Sequence, residues 1–393
     1  MAVNKFDNSM LDADAIGTSA NQLVQLDSNT KYPAVDGSLL TGIPSPFTAS
    51  ASDPTISTNP SGGVGTLWTN TSSGEVYCCT DATAGSNKWI NVGIGSKDIP
   101  LSWTFGGTLY GYTAGGTKQG SNANEIDKYN LSSNYNASDV GDLTVIKGYV
   151  SGSSSETHGY TAGGHSAVNV IDKYHFSYDG NASDVGNLTV GKMAPAGVSS
   201  SHSGYAAGGN AGGSLTSVID KYSFSSDGNS TDAGDLTANI MYIYGSNSST
   251  HGYTHGGYRT DGPGTINTIN KFSTVSNANA TDVGDLTVAR NSGATGSSST
   301  HGYCCGGDPL TNRIDKISFS SDGDATDVAD MVYSLGMMCG QSSTTDGYAT
   351  GGSNGDATVN EDYIQKYPFS SNTNATDIAN LTVARYFAAP SQV

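Results

Sequence analysis

Short apolar runs, set in groups and split by polar turns, recur along residues 101–393. In one group the runs are Gly159–Ala162, Val168–Phe176 and Val185–Val190, with Ser177-Tyr178-Asp179-Gly180-Asn181 between the last two. Runs of this length, rich in Val, Ile, Tyr and Thr, predict strands. The separator is turn chemistry, because Gly accepts positive φ and Asn and Asp bond nearby backbone. Before each group lies a run of Gly, Ser and Ala: Gly152–Ser155, Gly197–Ser201, Gly245–Ser249 and Gly296–Ser299. Small residues suit a strand crowded by its neighbours. Each group therefore predicts four strands, A to D, with A innermost.

The group occurs six times. Its marks are Gly111-Tyr112, Gly159-Tyr160, Gly204-Tyr205, Gly252-Tyr253, Gly302-Tyr303 and Gly347-Tyr348, spaced by 48, 45, 48, 50 and 45 residues. Four residues after the Gly of each pair, a Gly-Gly begins, at Gly115, Gly163, Gly208, Gly256, Gly306 and Gly351. A recurrence of this length marks a repeat architecture. The expected fold is all-β: a six-bladed β-propeller of four-stranded blades over residues 100–393. The units resemble kelch repeats in the Gly-Gly closing strand B, in Tyr129, Tyr174, Tyr222 and Tyr367 of strand C, and in Arg290 and Arg385 after strand D. Where kelch blades usually carry Trp, this chain has Leu143, Leu188, Leu236, Leu286, Met331 and Leu381. The chain end, Val383-Ala384-Arg385-Tyr386-Phe387-Ala388-Ala389-Pro390, continues into the start of a further strand A. We expect Arg385–Pro390 to supply the inner strand beside Tyr110–Gly115 and so close the ring, removing open sheet edges.

Residues 49–99 read as a small β module. Gly65–Asn70, Gly74–Thr80 and Asn87–Val92 predict three strands, and Trp68, Tyr77 and Trp89 are its expected core. In residues 1–48, Ala20–Asp27 and Tyr32–Ile43 resemble the shaft and neck segments of bacteriophage tail fibres. That resemblance implies an extended attachment segment that winds with other copies, a homotrimer, and contact with other virion tail proteins.

Composition narrows the chemistry. Acidic groups outnumber basic ones 35 to 17, a formal net charge of −18. Such a surface repels phosphate backbones, so no nucleic-acid partner is expected. No apolar run is long enough to insert in a membrane. The start, Met-Ala-Val-Asn-Lys-Phe-Asp, lacks the apolar stretch of a signal peptide, as expected for a protein made in a cytoplasm. The five Cys, with Cys78-Cys79 and Cys304-Cys305 adjacent, form no disulfide framework. No Cys-X-X-Cys or His-X-X-X-His spacing supports a metal site. The Asp and Asn of the C–D turns, such as Asp179, Asp227 and Asp322, offer oxygen ligands for calcium. Turn chemistry explains the same residues, and the expected cofactor is none. His158, His251 and His301 precede Gly-Tyr where other units have Tyr110, Ser203 and Asp346, so they read as replaceable strand residues. Nothing pairs two carboxylates as glycoside cleavage requires, and no catalytic residue is expected.

Alternating strands place the B–C and D–A loops on one face and the A–B and C–D loops on the other. The C–D turns barely vary between units, whereas the B–C loops differ in each and the D–A loops are rich in aromatics. Exposed aromatics favour binding of sugar or protein faces. Tyr149, Tyr242, Tyr244, Tyr258, Arg259 and Tyr386 are the expected receptor contacts. The expected function is that of a virion tail-fibre or tail-spike subunit whose propeller binds host surface polysaccharide or protein. The alternatives are a polysaccharide-cleaving tail spike and a head-decoration fibre.

Overall fold

The computed structural model describes residues 47–92, 106–355 and 360–393. The chain divides into two compact units, 1–101 and 102–393. Residues 1–46, which carry the fibre-like resemblance and nearly all of the expected trimerising segment, lie outside the described residues.

In the first unit the three expected strands are Leu67–Asn70, Val76–Asp81 and Lys88–Asn91, joined antiparallel. Alternation along them turns Tyr77, Cys79 and Trp89 inward, all fully buried. Trp68 meets Trp89 edge-on at 6.0 Å. A fourth strand, Phe47–Ser50, pairs parallel with Leu67–Asn70. It crosses the boundary expected at residue 48 and corrects the three-strand reading. Parallel neighbours need a crossover rather than a hairpin, so no adjacent turn announces the pairing. Trp68 Nε1 donating to Ser52 O at 2.9 Å and Thr71 N to Ser50 O at 2.7 Å help fix it.

The described residues of the second unit form six four-stranded antiparallel sheets, each with its strands in the order A-B-C-D, and two short ribbons, Thr117–Lys118 with Ser121–Asn122 and Asn210–Ala211 with Ser214–Leu215. In the second sheet these are Ser151–Ser154, His158–Ala162, Val170–His175 and Ser183–Asn187. Strand D thus begins and ends earlier than Val185–Val190. After Asn187 the backbone leaves its own sheet, and Thr189 N donates to Asp220 of the next one at 2.9 Å. Sheets three to six repeat the plan from Ala196, Tyr244, Ala294 and Cys339. The first sheet takes its strand A from the other end of the chain. Ala389–Gln392 pairs antiparallel with Tyr110–Ala114, Ala389 opposite Ala114 and Gln392 opposite Gly111. The tail does supply the expected inner strand, starting four residues further along than Arg385.

The Gly-Tyr mark has a steric origin. A Cβ on Gly111, Gly159, Gly204, Gly252 or Gly347 would lie 2.1–2.5 Å from the strand-C ring of Tyr129, Tyr174, Tyr222, Phe272 or Tyr367. The Tyr beside it reaches to the next sheet, where Tyr112, Tyr160, Tyr253 and Tyr303 meet Phe176, Phe224, Phe319 and Phe369 at 4.7–4.9 Å. The residues just after each strand D, Leu143, Leu188, Leu236, Leu286, Met331 and Leu381, are all buried. Each strand A contacts the next, and the sixth, Cys339–Ser342, contacts the C-terminal strand Ala389–Gln392, which in turn contacts Ser151–Ser154. Glycine permits this approach: a Cβ on Gly152 would lie 2.0 Å from Pro390 O, and one on Gly197 2.1 Å from Gly152 O.

Fully buried polar pairs bridge the seams. The fifth residue after strand D meets the third residue from the Ile-centred start of strand C in the next sheet. Lys147 pairs with Asp172 at 3.0 Å, Lys192 with Asp220 at 2.7 Å, Arg290 with Asp315 at 3.0 Å and Arg385 with Asp127 at 2.5 Å. At the other two seams the same positions hold Ile240 with Asn270 and Leu335 with Gln365. Burial pulls the Lys192 ammonium below its ordinary pKa. Burial alone would raise Asp220, but Lys192 and the hydroxyl of Ser230 outweigh it and hold the carboxyl low. The cation keeps its charge by donating also to Ala206 O and Val218 O.

The fourth sheet carries one titrating oddity. His255 is fully buried where the other sheets have Ala114, Ala162, Ala207, Cys305 and Thr350. Burial, then Arg290, pushes its pKa from 6.5 to about 3. Its Nε2 pairs with the Ser246 hydroxyl at 2.7 Å. The unfolded chain takes up this proton near 6.5 and the folded chain only near 3, so stability falls as pH drops through that window. Each unit of pH removes up to about 1.4 kcal/mol. His255→Ala is expected to flatten the decline between about pH 6 and pH 4, read from urea midpoints at each pH. An unchanged slope would exclude His255 as its source.

Candidate binding site

The D–A loops meet at one end of the strand-A circle. Tyr149, Ala194, Tyr242, Ser292, Met337 and Phe387 occupy the same loop position, two residues after the seam residue, and all have φ between 50° and 60°. Left-handed backbone is uncommon outside glycine, and it persists where surrounding structure enforces it. What enforces it here is a hydrogen-bond circle. Tyr149 N donates to Phe387 O, Ala194 N to Tyr149 O, Tyr242 N to Ala194 O and Ser292 N to Tyr242 O, at 2.8–3.1 Å. Met337 N donates to Ser292 O, and Phe387 N to Met337 O at 2.8 Å, which returns to the start.

Three aromatic side chains from this circle gather together. Phe387 stacks on Tyr149 at 4.2 Å and on Tyr242 at 5.5 Å, and the two tyrosines lie 6.2 Å apart. All three are half-buried, with part of each ring open to solvent. Burial, then the neighbouring Tyr386 and Tyr242, raises the Tyr149 hydroxyl above its ordinary range, and burial raises that of Tyr242. Both stay neutral, able to donate and accept hydrogen bonds. The cavity at this place is lined by residues from strand A of every sheet, mostly Gly and Ser.

Around the circle lie the B–C loops, tied to the D–A loops as bridges between Thr117 and Tyr386, Met193 and Asn210, Met241 and Tyr258, Asn291 and Asp308, and Gly336 and Ser353. In the second sheet His165 N donates to Gly148 O instead. Tyr258 ends the long strand His251–Tyr258 and is half-buried. Arg259 beyond it is ion-paired with Asp261 at 3.0 Å.

Of the six expected contacts, the structure brings Tyr149 and Tyr242 together and sets Tyr258 and Arg259 in the outer loops. Tyr244 and Tyr386 are corrections. Tyr244 opens strand A and is buried, its ring parallel to His255 at 6.2 Å. Tyr386 is buried beneath the cluster, edge-on to Phe387 at 5.6 Å. Tyr386 directly precedes Phe387 and turns the other way, whereas Tyr244 lies two residues beyond Tyr242, already within strand A. Phe387, absent from the expected contacts, packs against both Tyr149 and Tyr242. Its place two residues after Arg385 matches Tyr149 after Lys147, a signal readable from the repeat.

The opposite face is occupied differently. In each C–D turn an Asn or Asp side chain accepts the N–H at the end of the previous strand D, as Asn181 from Asp142 and Asp324 from Asp285, at 3.0–3.1 Å. This cross-sheet bonding accounts for the recurring Asn or Asp at that position, and Asp179, Asp227 and Asp322 pair with Lys128, Lys173 and Lys271. Among the described residues no three His, Cys, Asp or Glu are placed to hold a metal. His158, His251 and His301 each bond the preceding Thr hydroxyl at 2.7–2.9 Å. No protein-family model matches the sequence, and no curated protein matches it significantly.

Proposed function

We propose that this chain is a virion fibre subunit, a tail fibre or tail spike, whose second unit is a six-bladed kelch-like propeller that binds the host surface through the D–A and B–C loops. The partner is surface polysaccharide or protein, and the role is adhesion rather than cleavage. The observation that carries the binding reading is the half-exposed cluster of Tyr149, Tyr242 and Phe387. Flat neutral rings with hydroxyl tips suit the faces of sugars and the apolar patches of proteins. The propeller reading is supported by strands A in cyclic contact and by six hydrogen bonds that return to their start. The fibre reading rests on the likeness of residues 20–43 to phage shaft segments, which also leads us to propose trimerisation through residues 1–48 and attachment there to other tail proteins.

Immunogold labelling of virions with antibodies to this chain tests the assignment. Label at the tail is expected. Label on the head would make the chain a decoration fibre, and particles without label would remove it from the virion. Release of reducing sugar from host polysaccharide by the purified chain would contradict a purely adhesive role.

A further inference from the structure

We infer that the seam between the fifth and sixth sheets holds a subsite for the carboxylate of an acidic saccharide, separate from the aromatic cluster and on the face of the A–B and C–D loops. Every sheet carries a lysine at one position of strand C: Lys128, Lys173, Lys221, Lys271, Lys316 and Lys366. Its usual partner is an aspartate in the next sheet's C–D turn. Lys128 meets Asp179 at 2.8 Å, Lys173 meets Asp227 at 2.5 Å and Lys271 meets Asp322 at 2.8 Å. Where the turn offers asparagine, a substitute is found: Lys221 reaches Asn277 Oδ1 at 3.5 Å, and Lys366 turns to Asp346 of its own sheet at 3.4 Å.

Lys316 has neither carboxylate. The turn position opposite is Asn372, and the equivalent of Asp346 in its own sheet is His301. Its ammonium lies 5.8 Å from the centroid of the Tyr303 ring, and it has no ion pair among the described residues. At this seam the surface opens into a groove of about 330 Å³ that includes Lys316, His301, Phe369 and the hydroxyl residues Ser298, Thr300 and Thr345. That size lies at the lower end of small-molecule sites. An uncompensated ammonium asks for an anion, the Thr300 and Thr345 hydroxyls, bonded to His301 and Asp346, keep lone pairs that can accept from sugar hydroxyls, and the half-exposed Phe369 ring, backed by Tyr303 at 4.7 Å, offers a stacking surface. Together they fit a sugar ring that bears a carboxylate better than a bare inorganic anion.

Calorimetry of the full chain with trigalacturonic acid tests this, with maltotriose as the neutral control and sodium acetate as competitor. The expected result is that the acidic trisaccharide binds at least tenfold more tightly than maltotriose and is not displaced by equimolar acetate. Asn372→Asp, which restores the partner that Asp322 gives Lys271, is expected to weaken binding at least tenfold without lowering the melting temperature. Lys316→Gln should do the same, while Lys271→Gln leaves binding unchanged. Equal affinity for the two trisaccharides, full displacement by acetate, or unaltered binding by Asn372→Asp would each overturn the assignment.

Discussion

Arg385→Leu is expected to destabilise the second unit by about 3–5 kcal/mol, the cost of leaving a buried charge without its partner. Arg385 is 1 % exposed and Asp127 0 %, and they join the last sheet to the first. The guanidinium also donates to Gly115 O at 3.1 Å and Glu125 O at 2.9 Å. Without it the Asp127 carboxylate keeps, among the described residues, the Thr382 N–H and hydroxyl, at 2.8 and 2.6 Å. The sequence itself contains the remedy. At the seam between sheets five and six, Leu335 faces Gln365, whose Oε1 accepts the N–H groups of Val332 and Tyr333 at 2.9 and 3.2 Å. Arg385→Leu with Asp127→Gln copies that seam. The double variant is expected to recover most of the loss, to within about 1–2 kcal/mol of the parent, because a buried pair replaced whole leaves no orphan charge. Urea denaturation of the parent, both single variants and the double decides it. A double variant no more stable than Arg385→Leu would refute the exchangeability of the seams.

Removing residues 388–393 is expected to lower the melting temperature by at least about 10 °C, as the loss of several kcal/mol does in a unit of this size. The first sheet then lacks strand A, and Tyr110–Ala114 becomes an open edge prone to pair with other chains. Three further ties go with it. Ser391 Oγ no longer meets Tyr174 Oη, at 2.7 Å; Gln392 N loses Ser154 Oγ, at 3.0 Å; and the N–H groups of Thr108, Leu109 and Tyr110 lose Val393 O. A synthetic peptide of residues 384–393 should restore part of the loss. A truncated chain that melts with the parent would mean that the C-terminal strand does not hold the sheets together.

The repeat made the sheets legible. Gly-Tyr, Gly-Gly and the C–D turns recur in register, and periodic strands bounded by turn residues are the strongest signal a sequence carries. The C-terminal strand was legible for the same reason, since residues 383–390 copy the start of another unit. The parallel strand Phe47–Ser50 was not, because its partner lies across a long crossover without a turn signal. Aromatic content locates the D–A loops, but composition does not say which side chain turns outward, so Tyr244 and Tyr386 look the same as Tyr149 in the sequence. The seam pairs were half visible. Arg290 and Arg385 stood out as a kelch-like feature, while their partners sit in strand C of the following sheet, and only the matched changes to Ile240 with Asn270 and Leu335 with Gln365 expose the pairing. The left-handed circle leaves no sequence mark, because Tyr, Ala, Ser, Met and Phe all occupy it.

The central claim is that the D–A face recognises the host, and adsorption tests it most directly. The chain with Tyr149→Ser, Tyr242→Ser and Phe387→Ser keeps the backbone circle, since Ser292 already occupies one of its positions. Measured as binding of the purified chain to host cells, adsorption is expected to fall at least tenfold, with the melting temperature lowered by no more than about 5 °C. Undiminished adsorption by this variant, or an equal loss from Asp179→Ser on the opposite face, would contradict the account.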